Sequence, residues 1–122
     1  MAMQILMDAQ NEQEQLEGRE LEASVLKKAA YFLEDVKGHW QEDIDHAYLN
    51  AAIEYNQRLW SVFQGEMVED CCPLPQDLRS NILSLSTFID KRSSEVIACP
   101  APDKLDILIN INRNLAEGLM TH

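Results

Sequence analysis

Apolar residues recur along this chain mostly every three or four positions, the spacing that places side chains on one face of an α-helix. A first helix is predicted from Glu12 to Lys37, where two adjoining apolar stripes cover roughly half of the helix circumference. These stripes comprise Leu16, Ala23, Val25, Leu26, Ala29, Ala30, Phe32, Leu33 and Val36. A helix with so wide an apolar face must pack against two neighbours, and Gly38 is placed to end it as a left-handed C-cap.

A second helix is predicted from about Asp43 to Phe63, with Asp43 or Asp45 as its N-cap residue. Its apolar stripe reads Leu49, Ala52, Ile53, Asn56, Leu59, Trp60 and Phe63. An amide therefore lies in the middle of the stripe, and a buried amide costs free energy unless it is hydrogen-bonded. We expect Asn56 to have a fixed partner within the fold.

Pro75 suits the first turn of a third helix, where its missing N–H does no harm. The apolar stripe of this helix consists of Leu78, Ile82, Leu85, Ile89 and Val96, with Arg92 in the same series. A second stripe at helical spacing consists of the small hydroxyl residues Ser80, Ser84, Thr87 and Ser94. Two interpretations of it stay open: a face that lets another helix approach closely, or an exposed polar face.

Pro100-Ala101-Pro102 precedes the last predicted helix, for which Asp103 is the expected N-cap residue. The stripe of this helix reads Leu105, Leu108, Asn112, Leu115 and Leu119. Residues 105–111 also alternate with the period of a strand, but the helical spacing continues to Leu119 and favours a helix. The sequence thus predicts an all-α fold, a compact bundle of about four helices in a single domain of residues 1–122. We expect residues 1–11 to be flexible.

The chain of 122 residues carries 21 acidic and 10 basic residues, for a formal charge of -11. Residues 39–70 hold seven of the acids and only one base, Arg58. Proteins that grip nucleic-acid phosphates or anionic lipid surfaces need many Lys and Arg side chains. We therefore expect no direct nucleic-acid partner and no membrane partner, and we interpret the acidic segment as a solvated face.

No chemical motif in the sequence indicates catalysis. It has no Gly-rich phosphate loop, no nucleophile elbow and no recurring metal-ligand spacing, so we expect no enzyme, cofactor or metal. The start of the chain lacks a basic signal-peptide region, and no apolar run is long enough to span a membrane. The adjacent Cys71-Cys72 and Cys99 do not form a disulfide framework. A cytoplasmic protein with reduced thiols is predicted.

Asn56 and Asn112 each lie centrally in an otherwise apolar stripe. We hypothesise that they fix the register of the bundle, as a single buried amide does in a coiled coil. The competing interpretation is that they hydrogen-bond a bound partner.

Four segments, in order along the chain, resemble the motifs of one family. They are Arg19-Glu20-Leu21-Glu22, the Asn-x-x-Leu-Trp-x-x-Phe of residues 56–63, the Leu-Pro-x-x-Leu-Arg of residues 74–79, and the Ile-Asn-Arg-x-x-x-Glu-Gly-Leu of residues 111–119. Together they are similar to the FlaF family of flagellar biosynthesis regulators of alphaproteobacteria. Met1–Gln15 and Cys71-Cys72 depart from that pattern.

The resemblance implies a non-enzymatic cytoplasmic protein of flagellum assembly. It would bind flagellin as a secretion chaperone and support flagellin synthesis and export. The alternative is a regulator of flagellin synthesis that acts with a second regulator, FlbT, on the flagellin messenger. Because the chain is so acidic, this regulation would pass through a protein partner rather than direct RNA contact. Helix 1 and the small-residue stripe of helix 3 are the candidate walls of a groove for flagellin helices.

Five residues are candidates for partner contact. They are Asn56, Trp60, Arg79, Asn112 and Arg113, all within the matched motifs. An aromatic residue on an apolar stripe is more typical of a core, which is the competing interpretation for Trp60. Arg79 and Arg113 can each pair with two carboxylate oxygens, either on a partner or on a neighbouring helix.

Overall fold

The computed structural model describes residues 18–68 and 74–120. In these ranges it has four α-helices, one short 3-10 helix and no strand, which confirms the predicted all-α bundle. The helices are α1 (Gly18–Gly38), α2 (Ala47–Met67), α3 (Gln76–Ala98) and α4 (Asp106–Met120), with the 3-10 helix at Pro102–Leu105. Residues 1–11, the predicted first turn from Glu12 and the Cys71-Cys72 pair lie outside the described residues.

Helix α1 packs between two neighbours, as its wide apolar face predicts. Its closest and longest contact is with α4, and its other flank lies against α2. The buried side chains of α1 are Ala23, Val25, Leu26, Ala29, Ala30, Leu33 and Val36. Helix α3 packs on the far side of α2, and α3 and α4 are the least closely packed pair in contact. Around the bundle the order is therefore α4, α1, α2, α3.

The helix ends correct several details of the sequence prediction. Helix α2 begins at Ala47, not at Asp43, and it continues past Phe63 to Met67. Gly38 does end α1, but no glycine among the described residues has a positive φ, so it is not a left-handed cap. Asp103 lies inside the 3-10 helix rather than at the N-cap position of α4. These predicted helix ends were wrong because the turns between helices, and not the apolar patterns within them, determine the first and last residue of each helix.

The core contains the largest side chains of the helix stripes, with Trp60 and Phe63 of α2 at its centre. The two rings meet edge to face, with 5.9 Å between their centroids. Four polar side chains are buried in this core, namely Asn56, Ser86, Ser93 and Asn112. No helix in the described ranges combines the length and apolarity needed to cross a membrane.

Candidate functional site

Two hydrogen bonds link the motif residues of α2 to those of α4. The Trp60 indole Nε1 donates to Asn112 Oδ1 at 2.9 Å, and Asn112 Nδ2 donates to Asn56 Oδ1 at 2.6 Å. All three residues have 0% of their surface exposed. The backbones of α2 and α4 do not approach each other as those of the packed helix pairs do, so the three side chains span the centre of the bundle. We call this set the amide network.

The amide network confirms that Asn56 has a fixed partner, and the partner is Asn112. A buried hydrogen bond contributes about 1 kcal/mol net, whereas a buried group left unpaired costs about 1–3 kcal/mol. Asn112 uses both ends of its amide, whereas Asn56 Nδ2 has no hydrogen-bond partner within the described residues. Both Asn112 bonds require α2 and α4 to keep this alignment, so the geometry fits the register hypothesis.

Arg79 and Arg113, the other two candidate residues, lie apart from the network and from each other. The Arg79 guanidinium donates from Nε and Nη2 to the Met67 carbonyl oxygen, at 3.0 and 2.8 Å, and so holds the end of α2 against α3. Arg113 forms an exposed ion pair with Glu34, which joins α4 to α1.

The five candidate residues therefore do not form one surface. Asn56, Trp60 and Asn112 are enclosed in the core, so a partner can reach them only if the bundle opens. Arg79 is half-buried between α2 and α3, and Arg113 is exposed at the α1–α4 seam. A role in partner contact stays a prediction for each of them.

The two candidate groove walls have different positions in the structure. The apolar face of α1 is covered by α2 and α4, so it offers no groove in this conformation. The small-residue stripe of Ser80, Ser84, Thr87 and Ser94 is exposed, which favours a polar face within the chain itself. The hydroxyl side chains that approach a neighbouring helix are instead Ser86 and Ser93, both buried, and Ser86 Oγ donates to Gln64 Oε1 at 3.4 Å.

An aromatic cluster between α1 and α2 was not anticipated from the sequence. Phe32 and Tyr55 meet edge to face at 5.2 Å between centroids, and Tyr31 lies 5.9 Å from Phe32. The Tyr48 hydroxyl donates to Asp35 Oδ2 at 2.8 Å, and burial together with this bond raises the pKa of Tyr48 to about 12. The seven-residue interval between Tyr48 and Tyr55 places both on one face of α2, and that interval was the available signal.

Each end of the α1–α2 pair carries one side chain with a raised pKa, and the causes of the two shifts differ. At the turn between them, a backbone hydrogen bond and the carboxylate of Asp35 raise the pKa of His39. At the other end, burial raises the pKa of Glu22 to about 8, with further contributions from a hydrogen bond and repulsion by Glu66, while Arg19 acts in the opposite direction. Glu22, beside Glu66, thus holds its proton near neutral pH.

No group of three or more His, Cys, Asp or Glu side chains in the described part of the chain is arranged to hold a metal ion.

A family model described as "Flagellar protein FlaF" matches residues 8–119, a range that contains all four motif segments. No curated protein and no solved structure gives a significant match.

Proposed function

The chain belongs to the FlaF family of flagellar proteins, and from this we propose that it binds flagellin as a cytoplasmic secretion chaperone that supports flagellin synthesis and export. The observation that carries the proposal is the family match over residues 8–119. The ends of flagellin form amphipathic helices that self-associate, and a helical bundle can cover such a helix by the helix-in-groove mode.

The alternative is regulation of flagellin synthesis through a protein partner such as FlbT. Direct contact with the messenger is disfavoured because several of the few basic side chains already face carboxylates. Ion pairs join Lys37 to Asp106, Arg58 to Glu54, Arg92 to Glu95 and Arg113 to Glu34. With a formal charge of -11, the chain offers little basic surface for a phosphate backbone.

Co-expression with the flagellin of the same organism tests the proposal. We expect a complex that stays together in size-exclusion chromatography at micromolar concentration. A flagellin truncated at both terminal helices serves as the control and should elute separately. If wild-type flagellin also elutes separately, the chaperone proposal fails.

The regulatory alternative has its own assays. Co-purification with FlbT, without a flagellin complex, would favour regulation through a protein partner. A gel shift of the flagellin messenger by the purified chain alone would favour direct RNA binding instead.

A further inference from the structure

The seam between α3 and α4 is the loosest in the bundle. On α4, Asp106 and Arg113 face α1, so the opposite flank, with Ile107 and Ile111, is turned away from α1. On α3, Arg79 and Ser86 face α2, and the opposite flank carries Leu78, Leu85, Phe88 and Arg92 at helical spacing. These two flanks border the same seam, which we call the α3–α4 groove.

The walls of the α3–α4 groove are apolar and only partly covered. Leu85, Phe88 and Ile111 are half-buried, and Ile107 remains 38% exposed. Helix α4 has 15 residues, so the groove is about 22 Å long and matches about four turns of an added helix. Half-covered aliphatic and aromatic side chains along two helices are the surface that receives the apolar face of an amphipathic helix.

One end of the groove carries positive charge in an otherwise acidic protein. A surface cavity of about 430 Å³ lies there, lined by Arg92, Glu95, Ala98, Cys99 and Lys104. The Arg92 guanidinium lies 5.6 Å from the Phe88 ring centroid, and its Nε is ion-paired with Glu95 Oε1 at 3.4 Å but makes no hydrogen bond among the described residues. Lys104 Nζ donates to the Cys99 carbonyl oxygen at 2.6 Å. Two cations and one carboxylate therefore line the cavity, which leaves it with a net positive charge.

We propose that the α3–α4 groove binds an amphipathic helix from a flagellin terminus, with a carboxylate of that helix placed between Arg92 and Lys104. The identity of the chain that supplies the helix rests on the proposed function. The apolar face of the helix packs on Leu85, Phe88, Ile107 and Ile111. A carboxylate near one end of the bound helix sets its direction, since only one orientation brings that end to Arg92 and Lys104.

Matched pairs of variants test the groove by isothermal titration with full-length flagellin. Ile107→Glu should weaken binding at least tenfold, because it places a charge on the apolar wall. Ile97→Glu is its control and should leave binding unchanged. Ile97 is similarly exposed, at 45%, but lies on the flank of α3 that carries Arg79 and Ser86. Lys104→Glu should weaken binding at least fivefold, and Lys91→Glu on the outer face of α3 should change it less than twofold.

The outcomes separate the two proposals. If wild-type protein binds flagellin and both Ile107→Glu and Lys104→Glu bind equally well, the groove assignment is wrong while the chaperone function stands. If the wild type does not bind flagellin, the proposed function fails, and the groove assignment falls with it. Circular dichroism melting of each variant verifies folding, and Phe88→Ala gives a second, uncharged test of the same wall.

Protection of Cys99 gives an independent readout. In a Cys71→Ser/Cys72→Ser variant, Cys99 is the one remaining thiol, and it is exposed in the cavity. Bound flagellin should slow its maleimide labelling at least fivefold. An unchanged labelling rate in a saturated complex would place flagellin elsewhere.

Discussion

Asn112 is the residue on which the centre of the bundle depends most directly. Its amide accepts from Trp60 and donates to Asn56, so two buried partners rely on one side chain. The position of Asn112 in an apolar stripe predicted a buried amide. The identity of its partners was not predictable, because it depends on how α2 and α4 align across sequence separations of 52 and 56 residues.

Asn112→Leu is expected to lower the free energy of unfolding by about 2–4 kcal/mol, because it leaves Trp60 Nε1 and Asn56 Oδ1 unpaired in the core. Asn56→Leu should cost less, about 1–2 kcal/mol, because it also removes the unpaired Asn56 Nδ2. Urea unfolding measures both values. Flagellin binding by Asn56→Leu separates the two interpretations of this residue: an unchanged melting temperature with lost binding would favour partner contact over register.

Glu22 is expected to make the protein less stable as the pH rises. Its pKa is about 8 in the folded chain against an ordinary 4.5, so the folded state holds a proton that the unfolded state releases. Stability should therefore fall as the pH rises between about 4.5 and 8. In Glu22→Gln this decline should flatten, whereas Glu117→Gln at an exposed site of α4 should leave it unchanged. Melting temperatures recorded from pH 4.5 to 9 check this, and parallel curves for wild type and Glu22→Gln would contradict it.

Arg113→Ala is expected to change the free energy of unfolding by no more than about 1 kcal/mol, because its ion pair with Glu34 is solvent-exposed. Urea unfolding checks that value. The partner-contact interpretation of Arg79 and Arg113 predicts weaker flagellin binding for Arg113→Ala and Arg79→Ala. The α3–α4 groove lies on the opposite flanks of α3 and α4, so a site confined to that groove predicts unchanged binding. Full-strength co-purification of flagellin with both variants would remove these two arginines from the partner surface.

At the scale of the element, the start of α2 shows that a sequence can identify the capping residues of a helix and still misplace its first residue. Asp43 lies four positions before the first helical residue, yet its carboxylate accepts from the Tyr48 and Leu49 amides at 3.0 and 2.9 Å. Asp45 accepts from the Ala47 amide at 3.1 Å. His46 has a φ of 58°, a left-handed conformation that turns the chain into the helix. The sequence identified both capping carboxylates, but the left-handed turn that shifts the helix start has no local signature.

Asp43→Ala is expected to destabilise the protein by about 1–2 kcal/mol, since it removes both side-chain bonds to the first turn of α2. Asp45→Ala removes one bond at an exposed site and should cost about 0.5 kcal/mol. Thermal unfolding of the two variants gives the comparison. Equal losses would mean that Asp43 is not the principal cap.

The two amides and His46 also lower the pKa of Asp43 against the raising effect of burial. A carboxyl whose pKa is lowered stabilises the fold above its unfolded pKa. This contribution is lost as the pH falls through the folded value.

At the scale of the whole molecule, helical periodicity was sufficient to predict four helices and an all-α bundle. It was not sufficient to predict which pairs of helices pack closely. That choice depends on pairings between distant segments, such as Arg113 with Glu34 and Arg79 with the Met67 carbonyl. For the same reason, the sequence could not show that the candidate groove wall on α1 is covered, because internal packing against α2 and α4 buries its apolar face.

Helix α3 is expected to exchange its amide hydrogens faster than α1 in the free protein, because α3 packs closely on one neighbour and α1 on two. Hydrogen exchange followed by mass spectrometry resolves the two helices. In a flagellin complex the protection of α3 should rise more than that of α1. Slower exchange in α3 than in α1 for the free chain would contradict the packing order.

The pairing of α1 with α4 has a consequence for biosynthesis. Helix α1 leaves the ribosome long before α4, its main packing partner, so the part of its apolar face that contacts α4 stays uncovered until α4 emerges. The hydrogen bonds that Asn112 makes to Trp60 and Asn56 also wait for that helix. The bundle therefore cannot close before α4 has emerged, and a nascent chain that stalls before α4 exposes apolar surface for chaperones and proteases to recognise.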